Sequence, residues 1–151
     1  MKRPIATYFL YLLLTLLAIN AIYGGGSMII APDGSLLGLK MEWISDTPFI
    51  NFLIPGILLF LFMGIVPAIT LVGLFRKKRS KLFDKLNIYA DKYWGWTFSL
   101  YTGITCISWI AIQQLLTDYF ILQPIICIVG LLILVFTLLP AVQKYFTFTE
   151  K

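Results

Sequence analysis

Histidine is absent from this 151-residue chain, cysteine occurs twice, and charged residues make up only 13% of it. The missing imidazole removes the side chain that titrates nearest neutrality and the commonest metal ligand, which argues against haem, zinc and histidine-based catalysis. Cys106 and Cys127 form no CxxC pair and lie inside apolar stretches. They read as small buried hydrophobes rather than as a redox pair or a disulfide framework. The scarce charge is also unevenly placed, because four apolar stretches contain no Asp, Glu, Lys or Arg. Proton-coupled carriers, voltage sensors and most ion pathways keep an ionisable group within the membrane. A small drug–proton antiporter would need a membrane carboxylate, whereas Asp33, Glu42, Asp46 and Asp118 all fall between the stretches. The glycine run Gly24 to Gly26 lacks the Lys-Ser/Thr that a phosphate-binding loop requires. No cofactor is indicated.

Hydrophobic residues account for 60% of the chain, against about 45–50% in an ordinary soluble domain. A hydrocarbon core about 30 Å thick takes about 20 apolar residues per helical crossing. The stretches 5–23, 48–75, 94–116 and 124–142 each meet that length or come close to it. The expected fold is therefore an all-α integral membrane protein, a single domain over 1–151 built as a four-transmembrane-helix bundle. Met1, Lys2 and Arg3 before the first stretch resemble a signal peptide, but that stretch exceeds the usual apolar core of about 7–15 residues and its end is a poor cleavage site. An uncleaved span is expected.

Orientation follows from Lys and Arg. Eleven of the twelve lie in the N-terminus, the 76–93 loop and the 143–151 tail, leaving Lys40 alone in the 24–47 loop. By the positive-inside rule both termini and the basic loop are cytoplasmic, while 24–47 and the turn near Asp118 face outward. Aromatic residues at Tyr8, Tyr93, Trp94, Trp96, Tyr145 and Phe146 mark one interface, and Tyr23, Trp43, Tyr119 and Phe120 the other. The high pI of 9.3 thus points to anionic lipid at the inner leaflet and not to nucleic acid.

In the outer loop, Gly24 to Gly26 are expected to release the chain from the first helix. Met28 to Ala31 and Leu36 to Lys40 then flank the turn sequence Pro32-Asp33-Gly34-Ser35, which predicts a short β-hairpin between helices 1 and 2. Thr47 is expected to cap the second helix, with Pro48 in its first turn. Pro55 and Pro67 should bend that helix.

The stretch Ala31-Pro-Asp-Gly-Ser-Leu-Leu-Gly38, then Thr47-Pro-Phe-Ile-Asn-Phe-Leu-Ile-Pro-Gly56, then Trp109 with Gln113 and the pair Gln123-Pro124 resemble an uncharacterised family of small bacterial four-span integral membrane proteins. The resemblance covers most of the chain. It implies the architecture and a bacterial inner (cytoplasmic) membrane, and it carries no catalytic residue.

Three constellations invite functional readings. Gly95, Ser99, Thr102, Cys106, Trp109 and Gln113 form one small and polar stripe on the third helix, matched by Gln123, Cys127, Gly130 and Thr137 on the fourth. These stripes can serve as helix-packing surfaces with hydrogen bonds worth about 0.6 kcal/mol each. Alternatively Asn51, Trp109, Gln113, Gln114 and Gln123 form an outer polar vestibule, roofed by the hairpin and Trp43, for a small neutral or amphiphilic ligand. In the basic loop, Leu82, Leu86, Tyr89 and Tyr93 recur at helical spacing, so an interfacial amphipathic segment is expected. Arg76, Lys77, Lys78, Arg79, Lys81 and Lys85 would contact anionic lipid at roughly 1 kcal/mol each; the cluster can equally be a topology determinant alone. Gly64 and Ala68 make a small-xxx-small step that could serve internal packing or self-association.

The function expected from these features is non-catalytic: an accessory or interaction protein of the bacterial cytoplasmic membrane, with a membrane-protein partner or a second copy of itself. The alternative is a carrier or channel for a small neutral or amphiphilic solute lined by the third and fourth helices. Catalysis at the outer face by Asp33, Glu42 or Asp46 is disfavoured, because no His, Ser-Lys or metal set accompanies them.

Overall fold

The computed structural model describes residues 2–117 and 119–148. Asp118 of the expected outer turn, Met1 and Lys151 lie outside the described residues. Among those described, every regular element is helical: α1 (Ile5–Ile30), α2 (Leu53–Arg76), α3 (Trp94–Leu116), α4 (Leu122–Leu138) and α5 (Pro140–Phe146). The four longer helices form a ring in chain order, α1 packing along α2 and α4, and α3 packing along the same two.

By length and apolarity α1 and α2 can each cross a membrane, and the bent pair α4 and α5 would make a third crossing. At 23 residues α3 is long enough but less apolar, since Gly95, Thr97, Ser99, Thr102 and Gly103 lie along it. Those five are buried, so the polar character faces protein.

No β-hairpin forms, since no strand occurs among the described residues. Gly24 to Gly26 do not release the chain; they lie inside α1, which runs on to Ile30. Tertiary packing explains the difference. A Cβ on Gly25 would stand 2.7 Å from the Phe60 nitrogen and 2.8 Å from the Gly56 oxygen, so this glycine is the point where α1 and α2 cross. The chain continues as helix, which keeps its backbone groups paired in apolar surroundings. The turn at 32–35 does form. Gly34 has φ 79° and its N–H bonds the Ala31 oxygen at 3.0 Å, but the segments beyond it become the 3₁₀ turns Ser35–Leu37 and Met41–Ile44.

The second helix starts later than expected. Thr47 bonds within its own loop, donating to the Ile44 oxygen and accepting from the Phe49 N–H. The side chain nearest the true start is Asn51, whose Oδ1 accepts from the Leu53 N–H at 3.0 Å. Within α2, Leu59–Ile65 is π-helical and the Val66 N–H reaches back five residues to the Leu61 oxygen. This wider turn precedes Pro67, whose ring would clash with the carbonyl of Met63 in a regular helix.

The expected fourth span is broken. Leu139 is extended with ψ 132° before Pro140, the conformation a following proline favours, and α4 and α5 meet at 66°. The basic loop forms no amphipathic helix, because Lys77 ends α2 in the left-handed region with φ 47°. The loop then folds around Asn87, which bonds the Lys92 oxygen, the Tyr89 N–H and the Thr97 hydroxyl. Only Asp84–Leu86 makes a 3₁₀ turn.

The two ends of the ring differ. At the end bearing the basic loop, Leu10, Leu14, Leu74, Trp96, Ile133 and Phe146 are fully or almost fully buried. The Trp96 indole donates to the Thr137 oxygen at 2.8 Å, and the Ser99 and Thr137 hydroxyls meet at 3.1 Å. The facing stripes of α3 and α4 therefore do come together, with Gly130 against Cys106. At the other end, under residues 31–52, the helices diverge around a cavity.

Candidate functional site: an apolar cavity under the 31–52 segment

The cavity has a volume of about 590 Å³, within the range of small-molecule sites. Leu17 and Ala21 of α1, Leu59 and Met63 of α2, and Ile126 and Val129 of α4 form its walls. The 31–52 segment covers it with Leu39, Ile44, Phe49 and Phe52. This cover is tied down by the Phe52 N–H, which bonds the Pro32 oxygen at 2.9 Å. Trp43 stacks on Phe120 with ring centres 6.3 Å apart and planes 5° from parallel, closing the end.

The expected polar vestibule is largely replaced by this apolar space. Of the residues assigned to that vestibule and its roof, Trp109, Gln113 and Trp43 line the cavity. Asn51 does not, being engaged at the start of α2. Gln114 is exposed. Gln123 is fully buried and donates to the Thr117 hydroxyl at 3.2 Å, which holds the α3–α4 connection. The walls contributed by α1 were not read from sequence, because Leu17 and Ala21 look like any other spanning residues. The aromatic content of 43–52 was the one available signal for a lid.

Polar groups at the cavity are few. Trp109 contributes a buried indole N–H with no hydrogen-bond acceptor among the described residues, and an unpaired buried donor costs about 1–3 kcal/mol. Among the described residues no charged side chain lines the space. Beside it lies a second hollow of about 130 Å³ between Glu42, Ser45 and Asp46, sharing Trp43, Leu116 and Thr117 with the first. On the same segment, hydrogen bonds from the Ser35 hydroxyl and N–H hold the Asp33 carboxyl below the ordinary carboxylate range. That carboxylate is occupied in shaping its turn.

The basic loop divides into two groups. Lys77 turns inward: its Nζ donates to the Tyr145 oxygen at 2.8 Å and lies 3.7 Å from the Tyr145 ring centre. Arg79 pairs with Asp84 at 3.3 Å and covers the Phe148 ring. Arg76, Lys78, Lys81 and Lys85 are exposed. Arg3 bonds the Tyr145 hydroxyl at 3.4 Å, and Phe148 bonds Asp91. The N-terminal segment, the basic loop and the C-terminal segment thus meet at one end of the bundle.

No protein-family model, no curated protein and no solved structure matches the chain.

Proposed function

We propose that the chain is a non-catalytic membrane protein of the bacterial cytoplasmic membrane that holds a small amphiphilic molecule in the cavity under its 31–52 segment. In this reading α1 to α4 are four spans, with both termini and the basic loop cytoplasmic and the cavity in the outer half. The exposed Arg76, Lys78, Lys81 and Lys85 then rest against anionic headgroups of the inner leaflet. Support for the four spans comes from the chain-order ring and from the meeting of both terminal segments with the basic loop. The observation that carries the ligand reading is the cavity itself, an apolar space of about 590 Å³ roofed by a tied-down aromatic cover.

The cavity favours binding over passage. Leu10, Leu14, Leu74, Ile133 and Val142 are all fully buried, so the basic half offers a packed core in place of a pore. An accessory protein that senses or retains an amphiphile fits this shape better than a channel does.

Ala21 provides the test, being 4% exposed and part of the cavity wall. Ala21→Phe should fill the space and abolish saturable binding of a bromine-tagged dodecyl alcohol, read as quenching of Trp43 and Trp109 fluorescence in lipid nanodiscs. Thermal unfolding of the variant would verify that it remains folded. Unchanged quenching in a folded Ala21→Phe protein overturns the proposal.

A further inference from the structure

We infer that the occupant is a single-chain amphiphile with a cationic head, its hydrocarbon tail in the large cavity and its head in the small hollow at Glu42 and Asp46. This deepens the reading above and rests on it. The tail assignment follows from a wall that carries no charged side chain among the described residues, whose polar side-chain groups there are Asn20, Tyr23, Trp43, Thr47, Trp109, Gln113 and Thr117. A small polar solute would lose its hydration there without replacement partners.

The cavity is also open sideways. Leu16, Asn20 and Tyr23 of α1 and Leu122 and Ile125 of α4 line it while remaining exposed, Tyr23 at 65% and Leu122 at 53%. Toward the basic end this seam is shut, where Phe9 stacks on Phe136 at 5.5 Å. A slit between α1 and α4 that opens onto the lipid side admits a hydrocarbon chain directly from the bilayer.

The head assignment follows from charge. Glu42 and Asp46 face the hollow that adjoins the cavity at Trp43, Leu116 and Thr117. Neither carboxylate forms an ion pair among the described residues. Lys40 is the only basic residue in 24–47, against Asp33, Glu42 and Asp46, and Asp33 is held by Ser35. The rim therefore presents net negative charge beside an apolar hole, which is complementary to an ammonium head on a hydrocarbon tail.

The experiment uses the full chain in phosphatidylcholine nanodiscs and three bromine-tagged dodecyl probes that differ only in the head: trimethylammonium, hydroxyl and sulfate. Saturable tryptophan quenching should rank the ammonium probe tightest, about fivefold or more over the alcohol, a ratio reasonable for two exposed carboxylates. The double variant E42Q/D46N, whose sites are exposed, should erase that preference and leave the alcohol unchanged. Equal binding of all three probes, or an ammonium preference that survives E42Q/D46N, overturns the head assignment while leaving the cavity as a tail site. Absence of saturable quenching by every probe overturns both this inference and the proposed function.

Discussion

Gly24, Gly25 and Gly26 are neighbours of one residue type, yet they meet different surroundings. A Cβ at Gly24 would sit 3.6 Å from Leu59 and one at Gly26 would sit 4.0 Å from Phe60, both ordinary contacts, whereas at Gly25 it would intrude on the Phe60 and Gly56 backbone. Gly24→Ala and Gly26→Ala should therefore gain up to about 1 kcal/mol from helix propensity. Gly25→Ala should lose about 1–3 kcal/mol from overpacking at the α1–α2 crossing. Thermal unfolding of the three variants in one detergent gives the order, and a Gly25→Ala protein as stable as Gly24→Ala would refute the crossing. The same distinction explains the misread hairpin. A glycine run looks like a chain breaker when only its own conformational freedom is considered. Its use here is the absence of a side chain where another helix passes.

At the scale of elements, the proline effects are met by two different devices. In α2 the π segment Leu59–Ile65 adds width just before Pro67, so the helix continues to Arg76 without a break. At Pro140 the chain breaks through an extended Leu139, and the Gln143 amide donates to the exposed Leu138 oxygen at 2.7 Å. With 17 residues at about 1.5 Å each, α4 is about 25 Å long before α5 turns away from it at 66°. Deleting Leu61 should convert the π turn to ordinary α-helix and drive the Pro67 ring against the preceding turn. The deletion alone should be clearly destabilising, and combining it with Pro67→Ala should recover up to about 3 kcal/mol relative to the deletion. Additive effects in unfolding measurements would mean that the π turn does not exist to accommodate the proline. The bends expected at Pro55 and Pro67 do not appear as breaks: Pro55 falls in the first turn of α2, where its missing N–H costs nothing, and Pro67 follows a wide turn that was not foreseen, since i→i+5 pairing leaves no mark on residue spacing.

For the whole molecule the decisive question is which end faces out. In a C106A/C127A background, a cysteine at the exposed Leu36 should react with an impermeant maleimide on intact cells. One at the exposed Lys81 should react only after permeabilisation; the reverse pattern would invert the proposed orientation. The four apolar runs were legible in the sequence because an isolated backbone in hydrocarbon has to pair its own N–H and C=O groups, which makes long uncharged stretches helical wherever they pack. The α3–α4 stripe was legible for a related reason, as small and hydroxyl-bearing residues at helical spacing meet their counterparts once a short turn joins the helices, and Ser99 does meet Thr137. The cavity was not legible. It is the volume left where α1, α2, α3 and α4 diverge beneath Trp43 and Phe52, and no single residue encodes a gap between four others. The amino-acid sequence by itself determined the long apolar helices and one strongly basic loop, because backbone pairing in apolar surroundings and the cost of buried charge act on local composition. Only the tertiary structure decided that Gly25 is a contact, that Lys77 is an internal ligand of aromatic rings and that Gln123 seals a connection while Gln113 lines a hollow. Those roles depend on distances between segments far apart in the chain, which local propensities do not constrain.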